Sequence, residues 1–290
     1  MFCIAGADGF FGAYIQKYLV SRGERVLALN HKKAVFPDSP CVENLSFELT
    51  SDTDLKALKN RLRGEEDIKL VYLIAAHSPD FVKAEPEKAF YINSEAYKNF
   101  LDKLSGCDIK KLYYASSDTV YGENKNDIPF DESTPPSPVN LYGEHKAHAE
   151  RITLENGFSV ARFPYMFAPS VTYKKHFFDG ITEKLRAGER IFMFTDYIRS
   201  SLTYPTAAQY LCRLIDTDTD EKIFNVCADE PTSKYDIGLY AAKLCGADEK
   251  LVVPCLSTQS GVFTEKRAGT LTMSNKKLKA VLGVDTPIGF

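Results

Sequence analysis

The sequence lacks the features of fibrous, disordered or membrane-spanning chains. Glycine and proline supply only 17 and 14 of its 290 residues, which excludes a collagen-like or low-complexity chain. Its longest apolar run, residues 70–76, is far too short to cross a bilayer, and the first 15 residues have no basic leader. The net charge of −3 gives no electrostatic footprint for nucleic acid or an anionic membrane. We expect a cytoplasmic globular protein that binds neither.

Cysteine and histidine are too scattered to predict a metal centre or a disulfide framework. The 7 cysteines contain no C-x-x-C pair, and the 5 histidines contain no H-E-x-x-H motif. His145 and His148 are three residues apart on a predicted helix, but no carboxylate stands at ligand spacing from them. The expectation is therefore buried, reduced thiols and no bound metal.

Short apolar runs alternate with helical patterns in the first half of the chain. Strands are predicted over residues 2–5, 25–29, 69–75, 111–115 and 157–162, and helices over 10–21, 54–63, 85–104 and 139–156. This alternation predicts an α/β fold with a doubly wound parallel sheet of the Rossmann type, since parallel crossovers place helices on both faces. Ligands of such sheets bind beyond the carboxyl ends of the strands.

The alternation becomes less regular after Pro164. We predict that residues 1–163, together with about 200–228, form a dinucleotide-binding domain. Residues 164–199 and 229–290 are predicted to form a smaller C-terminal substrate-binding lobe. Segments 199–203 and 223–226 are expected to return to the main sheet.

A G-x-x-G-x-x-G sequence stands between the first predicted strand and the first predicted helix. Its glycines are Gly6, Gly9 and Gly12, with Asp8, Phe10 and Phe11 between them. Glycine allows a tight turn and lets a pyrophosphate approach closer than a Cβ would permit. The following helix directs its free N–H groups at the phosphates. The turn therefore predicts a dinucleotide site.

The end of the second predicted strand indicates which dinucleotide binds. An acid at this position binds the ribose 2′-hydroxyl of NAD, but the sequence here is Asn30-His31-Lys32-Lys33. A neutral side chain followed by two lysines would attract a 2′-phosphate. NADP is therefore favoured, and NAD is possible. Glu48 and Leu49, after the third strand, are candidate adenine contacts.

Two Y-x-x-x-K pairs occur, Tyr121/Lys125 and Tyr142/Lys146. The first runs into turn residues, Asn126-Asp127 and then Pro129. The second lies early in a predicted helix with Ser137 as N-cap and Pro138 at its first position, and residues i and i+4 of a helix share a face. A free phenol has a pKa of about 10, and a nearby ammonium group would bring it towards neutrality. Ser117, after the strand ending at 115, can hold a substrate oxygen beside this phenol.

Several segments resemble one enzyme family over nearly the whole chain. They are A-A-H at 75–77 with A-E-P-E at 84–87, Ala89 and Asn93; S-S-D-T-V-Y-G at 116–122; R-F-P-Y-M-F at 162–167; and R-A-G-T-L-T-M at 267–273 with Lys277-Leu278. Together they resemble the extended short-chain dehydrogenase/reductases (NAD-dependent epimerase/dehydratase superfamily) that act on nucleotide sugars, and most of all the dTDP-4-dehydrorhamnose reductases.

The resemblance implies a set of site residues. Ser117, Tyr142 and Lys146 would be catalytic, and Asn93 a supporting contact. Further cofactor contacts would come from Ala75, Ala76 and Phe163, and substrate contacts from His77, Ser78, Asp118, Tyr165, Arg199 and Arg267, the two arginines holding a diphosphate.

The resemblance also implies a reaction. The expected activity is reduction of a nucleotide-linked 4-keto-deoxysugar by NADPH, with Tyr142 as proton donor, in a homodimer. Asp118-Thr119 replaces the Asp-Glu pair of the dehydratases, so dehydration is not expected. Tyr165 for Trp, Ala268 for Pro and Thr272-Met273 for Leu-Asp depart from the reductase pattern and leave the sugar and base open.

Two alternatives remain. One is a nucleotide-sugar epimerase of the same superfamily. The other is a catalytically silent NADP-binding regulatory subunit, like that of methionine adenosyltransferase, although an intact Ser–Tyr–Lys set argues against a pure binder.

Overall fold

The computed structural model describes residues 1–124, 128–259 and 264–290. Its strands are β1 (Phe2–Ala5), β2 (Val26–Asn30), β3 (Val42–Ser46), β4 (Ile68–Tyr72), β5 (Ile109–Ser117), β6 (Ser159–Phe163), β7 (Met166–Phe167), β8 (Ile191–Phe194), β9 (Ile198–Arg199), β10 (Leu202–Thr203), β11 (Ile223–Asn225), β12 (Thr232–Ser233), β13 (Val252–Cys255) and β14 (Thr270–Leu271). Its helices are α1 (Phe10–Ser21), α2 (Asp52–Leu62), α3 (Pro79–Ala84), α4 (Pro86–Phe90), α5 (Ala96–Leu104), α6 (Leu141–Glu155), α7 (Phe177–Arg186), α8 (Tyr204–Asp216), α9 (Lys234–Cys245) and α10 (Lys276–Leu282).

The central element is a seven-stranded sheet in the order β11-β6-β5-β4-β1-β2-β3. All its strand pairs are parallel. Alternate residues of β1 pack into different apolar clusters. Phe2 and Ile4 share one cluster with α1 and α8, and Cys3 and Ala5 share the other with α2 and α5. Both faces are thus covered by helices, which explains why the strands read as continuous apolar runs. The predicted doubly wound α/β fold is confirmed.

The predicted helix over 85–104 is wrong in detail. The chain forms α3, α4, a π-helical turn at Tyr91–Glu95 and then α5. Pro86 begins α4, because proline is tolerated in the first turn of a helix and not in its interior. The π-helical turn is a local widening that is frequent at functional sites, and it carries Asn93.

Segment 199–203 does not return to the main sheet, contrary to expectation. Strand β9 pairs with β12 and β14, and β10 pairs with β7, in two small separate sheets. Between them Ser200 exchanges hydrogen bonds with the backbone of Met273, which ties this segment to the C-terminal part of the chain. Strand β11 does join the main sheet, beside β6.

A separate apolar cluster lies outside the central sheet. It includes Phe178 and Leu185 of α7, Met193 of β8, Ile237 of α9 and Val252 of β13. These elements come from the two segments predicted to form the smaller lobe. The 7 cysteines are free thiols, of which Cys3, Cys212 and Cys227 are buried. Within the described ranges, no helix combines the length and apolarity needed to cross a membrane.

Candidate active site

The glycine turn after β1 is built for close approach. Gly6 has a φ of +89°, which favours glycine. A Cβ on Gly12 would lie 2.4 Å from the Gly6 carbonyl oxygen, so α1 packs directly on the turn. Gly9 caps α1 without a side-chain hydrogen bond, which leaves the positive end of the helix to an external anion. This geometry fits a pyrophosphate.

A carboxylate from the glycine turn lies beside the end of β2, a contact that the sequence pattern does not reveal. Asp8, 4% exposed, accepts hydrogen bonds from the backbone N–H groups of His31 (3.3 Å) and Lys32 (3.2 Å). Tyr173 donates to the same carboxylate at 3.4 Å, and Lys174 Nζ lies 4.0 Å from it. The NADP prediction uses the neutral Asn30 and the two lysines that follow it. The fold adds a carboxylate beside this strand end, from the glycine turn.

The other predicted adenosine contacts have partners within the protein. The Asn30 amide donates to Ala28 and Asn44, and His31 Nε2 lies 2.9 Å from Glu48. Leu49 is a core residue. Of these, His31, Lys32 and Glu48 remain available to a ligand at the rim.

Helix α6 brings Tyr142 beside Ser117 at the end of β5. The helix begins at Leu141 with Asn140 as its N-cap, whose side chain accepts from the Gly143 N–H at 2.9 Å. The predicted N-cap Ser137 is wrong: its own N–H donates to Val120, which holds it outside the helix. A Cβ on Gly143 would lie 2.6 Å from the Thr119 carbonyl oxygen. Glycine at this position therefore lets α6 lie directly against the turn that follows Ser117.

The environment of Tyr142 differs from the expectation. Burial raises the pKa of its phenol, the Asp118 carboxylate raises it further, and a hydrogen bond with Ser117 acts in the opposite direction. The pKa of Tyr142 is thus raised where the sequence predicts that Lys146, whose Nζ lies 5.9 Å from the Tyr142 ring centroid, lowers it. Burial is the largest cause of the rise.

Lys146 is held by other groups. Its Nζ donates to the Tyr114 hydroxyl (3.1 Å) and to the Ala115 carbonyl (2.7 Å). Burial lowers the pKa of Lys146 to about 7, against an opposing effect of Glu150. The ammonium group is therefore positioned at the carboxyl end of β5, and its charge depends on what binds beside it.

Asp118 links the catalytic candidates to Arg199. Ser117 Oγ donates to Asp118 Oδ1 at 2.9 Å, and Arg199 Nε lies 3.4 Å from Oδ2. Burial raises the pKa of Asp118, and Arg199 opposes the rise. Arg199 also donates to the carbonyls of Ile198, Gly269 and Ala268. Because these contacts occupy its guanidinium group, Arg199 is better suited to position Asp118 than to bind a diphosphate, the role that the resemblance implies.

Asn93 fixes the loop after β4. Its Oδ1 accepts from the Ala76 N–H at 2.7 Å, and its Nδ2 donates to the Ala76 carbonyl at 3.1 Å. Asn93 is 2% exposed. It therefore acts on the site through the backbone of Ala76 rather than by lining the cleft.

Tyr121, the tyrosine of the first Y-x-x-x-K pair, has a structural role. Tyr121 is 2% exposed, and its hydroxyl lies 2.7 Å from Arg162 Nη1 and 2.9 Å from Asn225 Oδ1. Tyr121 does not line the cleft that holds Tyr142. Lys125, with Asn126 and Asp127, lies outside the described residues.

One cleft of about 620 Å³ joins these groups. The predicted residues that line it are Gly6, Gly9, Phe10, Phe11, Gly12, Ala75, His77, Ser78, Ser117, Asp118, Tyr142, Lys146, Phe163, Tyr165, Arg199 and Arg267. The predicted residues that do not line it are Asp8, Asn30, His31, Lys32, Glu48, Leu49, Ala76 and Asn93. Sequence reasoning missed Thr119, Lys174, His176, Tyr197 and Tyr204. Four of these come after β6, where the alternation of strands and helices is less regular.

A doubly wound sheet whose glycine turn shares one cleft with a Ser–Tyr–Lys set defines the extended short-chain dehydrogenase/reductase class. More narrowly, the chain belongs to the family described as the RmlD substrate binding domain, whose model matches residues 1–288.

Comparison with individual proteins gives relatives of different activities. Methionine adenosyltransferase 2 subunit beta of Xenopus tropicalis is 29% identical over 166 residues, 57% of this chain and 46% of that protein. UDP-glucose 4-epimerase of Lactobacillus helveticus is 31% identical over 156 residues, 51% of this chain and 44% of that protein. The chain thus spans about half the length of the curated relatives it matches.

A solved structure extends the likeness to the whole chain. A dTDP-4-dehydrorhamnose reductase from Bacillus anthracis, in complex with NADP, matches with a TM-score of 0.81 at 18% identity, covering 99% of this chain and 93% of that chain. At this identity the match shows a shared fold.

Proposed function

We propose that the protein is an NAD(P)-dependent reductase of a nucleotide-linked 4-keto-deoxysugar. The observation that carries the proposal is that Ser117, Tyr142 and Lys146 line the same cleft as the glycine turn. The family supports it, as does the fold shared with a dTDP-4-dehydrorhamnose reductase.

The cleft fits a nicotinamide dinucleotide, which supplies the hydride when bound. Gly6, Gly9 and Gly12 would hold the pyrophosphate, because Gly6 makes the turn tight and Gly12 lets α1 begin directly against it. Phe10, Phe11, Ala75 and Phe163 line the same space, and Lys146 would hold the nicotinamide ribose. We propose NADP, with NAD possible.

Tyr142 would protonate the substrate oxygen. Because burial and Asp118 raise the pKa of the phenol, it is protonated at neutral pH, which is the form a proton donor needs. Ser117 would orient the same oxygen through its hydroxyl. Asp118 and Arg199 would hold Ser117 in place from behind.

Asp8 is expected to control the choice between NADP and NAD. Its carboxylate sits at the end of β2, where Rossmann folds bind the adenosine ribose. Asp8→Asn should raise affinity for NADP relative to NAD about tenfold, because unit charges about 4 Å apart repel by roughly 1 kcal/mol in water and about 4 kcal/mol near a protein surface. Fluorescence titration with both dinucleotides measures the ratio.

The control for Asp8 is Asp38→Asn, which removes an exposed carboxylate from the loop after β2. An equal shift in both variants, or none in either, would mean that Asp8 does not sense the 2′ position.

An epimerase and a regulatory subunit are the two alternatives to the reductase. The epimerase relative supports an epimerase, a reaction that begins with oxidation of the sugar and in which Tyr142 would first act as a base. The methionine adenosyltransferase relative supports a regulatory subunit. The Ser–Tyr–Lys set favours turnover.

Nicotinamide absorbance during incubation with a panel of nucleotide 4-keto-6-deoxysugars tests the proposal. We expect NADPH to be consumed in proportion to 4-hydroxy product. Sugar inversion without net oxidation would establish the epimerase instead. Tight cofactor binding with no turnover on any member of the panel would favour the regulatory subunit.

A further inference from the structure

The chain between β7 and α7, residues 168–176, lies against the glycine turn, and we call it the strap. Near its start, the Pro169 carbonyl accepts a hydrogen bond from the Tyr14 hydroxyl of α1 at 2.6 Å. Further along, the Tyr173 hydroxyl donates to the Asp8 carboxylate at 3.4 Å. The strap is therefore fixed both to α1 and to the turn that precedes this helix.

The strap brings a lysine, Lys174, into the cleft. Among the residues that the structure describes, four lysine or arginine side chains line this cleft. Three of them donate to acceptors of the protein at 2.7 Å or less, namely Lys146, Arg199 and Arg267. The Nζ of Lys174, in contrast, lies 4.0 Å from the Asp8 carboxylate, and its side chain is 43% exposed. Lys174 is thus the cation of these four that the protein itself engages least.

The glycine turn has no positive side chain of its own. Residues 6–13 contain only glycine, alanine, phenylalanine and Asp8. A pyrophosphate bound to the backbone N–H groups of this turn would therefore meet one charged side chain from it, a carboxylate, which repels an anion. Lys174 lines the same cleft as Gly6 and Gly9, and its positive charge would offset that repulsion.

We propose that Lys174 binds the pyrophosphate of the dinucleotide, so that the cofactor is held between the glycine turn and the strap. This inference rests on the proposed function for its cofactor. The ammonium group would exchange its long contact with Asp8 for phosphate oxygens, while Tyr173 keeps the strap attached to the turn. The 2′-phosphate of NADP is the other source of the same chemistry, because Asp8 also lies beside the end of β2. The experiment separates the two phosphates.

Fluorescence titration of the full chain with NADH and with NADPH tests the proposal. Lys174→Met should weaken the binding of both dinucleotides equally, because the pyrophosphate is common to them. The expected loss is about tenfold, the lower end of the range for one charge-assisted hydrogen bond, since the side chain is half-exposed. Salt at about 1 M shortens the Debye length to about 3 Å and should reduce this loss.

The matched control is Lys175→Met, which removes the next lysine of the strap. The Lys175 Nζ pairs with Glu183 at 2.9 Å, and Lys175 does not line the cleft. This variant should bind both dinucleotides as the parent does. Binding by Lys174→Met as tight as that by Lys175→Met would overturn the proposal.

A second variant separates a direct contact from an effect through Asp8, because Lys174→Met also removes a positive charge from beside this carboxylate. In an Asp8→Asn background, Lys174→Met should still weaken the binding of both dinucleotides about tenfold. A loss that disappears in this background would mean that Lys174 only neutralises Asp8, and the direct contact would be overturned.

The comparison of the two dinucleotides identifies which phosphate Lys174 binds. An equal loss for NADH and NADPH supports the pyrophosphate. A loss for NADPH alone would assign Lys174 to the 2′-phosphate and overturn the pyrophosphate contact. Failure of the parent protein to bind either dinucleotide would overturn the proposed function, and this inference with it, whereas parent-like binding by Lys174→Met leaves that function standing.

Discussion

Tyr142→Phe should lower kcat about 10²- to 10⁴-fold while the protein still binds dinucleotide. The variant removes only the phenolic oxygen, which is the proposed proton donor, and general acid catalysis contributes a factor of this size. The ring and its packing remain, so the cleft keeps its shape. Steady-state nicotinamide absorbance gives kcat, and fluorescence titration gives dinucleotide binding.

The matched control is Tyr113→Phe. Tyr113 lies on β5 in the core, with its hydroxyl bonded to Ser159, and burial raises the pKa of this phenol to about 12. Removing that oxygen should leave kcat close to that of the parent. If both variants turn over at the parent rate, Tyr142 is not the proton donor and another group must protonate the substrate oxygen.

The parts of the site that could be predicted are those set by local sequence. The glycine turn and α1 follow from Gly6, Gly9 and Gly12 and the apolar pattern behind them, and α1 begins and ends at the predicted residues 10 and 21. Tyr142 and Lys146 share a helix face because residues four apart always do. Such features need no knowledge of the rest of the chain.

The parts that escaped prediction depend on residues far apart in the chain. Asp8 accepts hydrogen bonds from residues 23 and 24 positions further along the sequence, at the end of β2. Lys234 contacts the ring of Tyr165, and α7 and α8 lie between these two residues in the sequence. The direction of the pKa shift of Tyr142 also depends on the tertiary structure, because the fold buries the phenol and places Asp118 near it. Residue spacing predicts which side chains lie close together on one helix or strand. The charges that surround those side chains depend on how the helices and strands pack in the fold.

Glu150 extends the Tyr142–Lys146 face of α6 by one more turn. It is 3% exposed, and its two carboxylate oxygens accept hydrogen bonds from Arg162 of β6 at 2.9 and 2.7 Å. Arg162, 2% exposed, donates in turn to Tyr121. This buried pair therefore fastens the helix that carries the catalytic candidates to the central sheet.

Glu150→Gln should reduce the free energy of unfolding by about 3–5 kcal/mol, because it leaves the Arg162 guanidinium buried without a counter-charge. The same change should lower the pKa of Lys146 further, since Glu150 opposes the effect of burial on that group. The ammonium form then becomes scarcer at pH 7, and dinucleotide binding should weaken more at pH 8 than at pH 6. Urea unfolding and fluorescence titration at the two pH values measure these effects.

Two controls separate the buried pair from a general effect of charge. Glu155→Gln removes an exposed carboxylate from the last turn of the same helix and should change stability by no more than about 0.5 kcal/mol. Replacing both Glu150 and Arg162 by methionine should recover much of the lost stability, because the cost lies in the orphaned charge and an apolar pair of similar size packs well. A Glu150→Gln variant as stable as Glu155→Gln would mean that Arg162 is neutralised elsewhere, and α6 would then be held to the sheet by apolar packing alone.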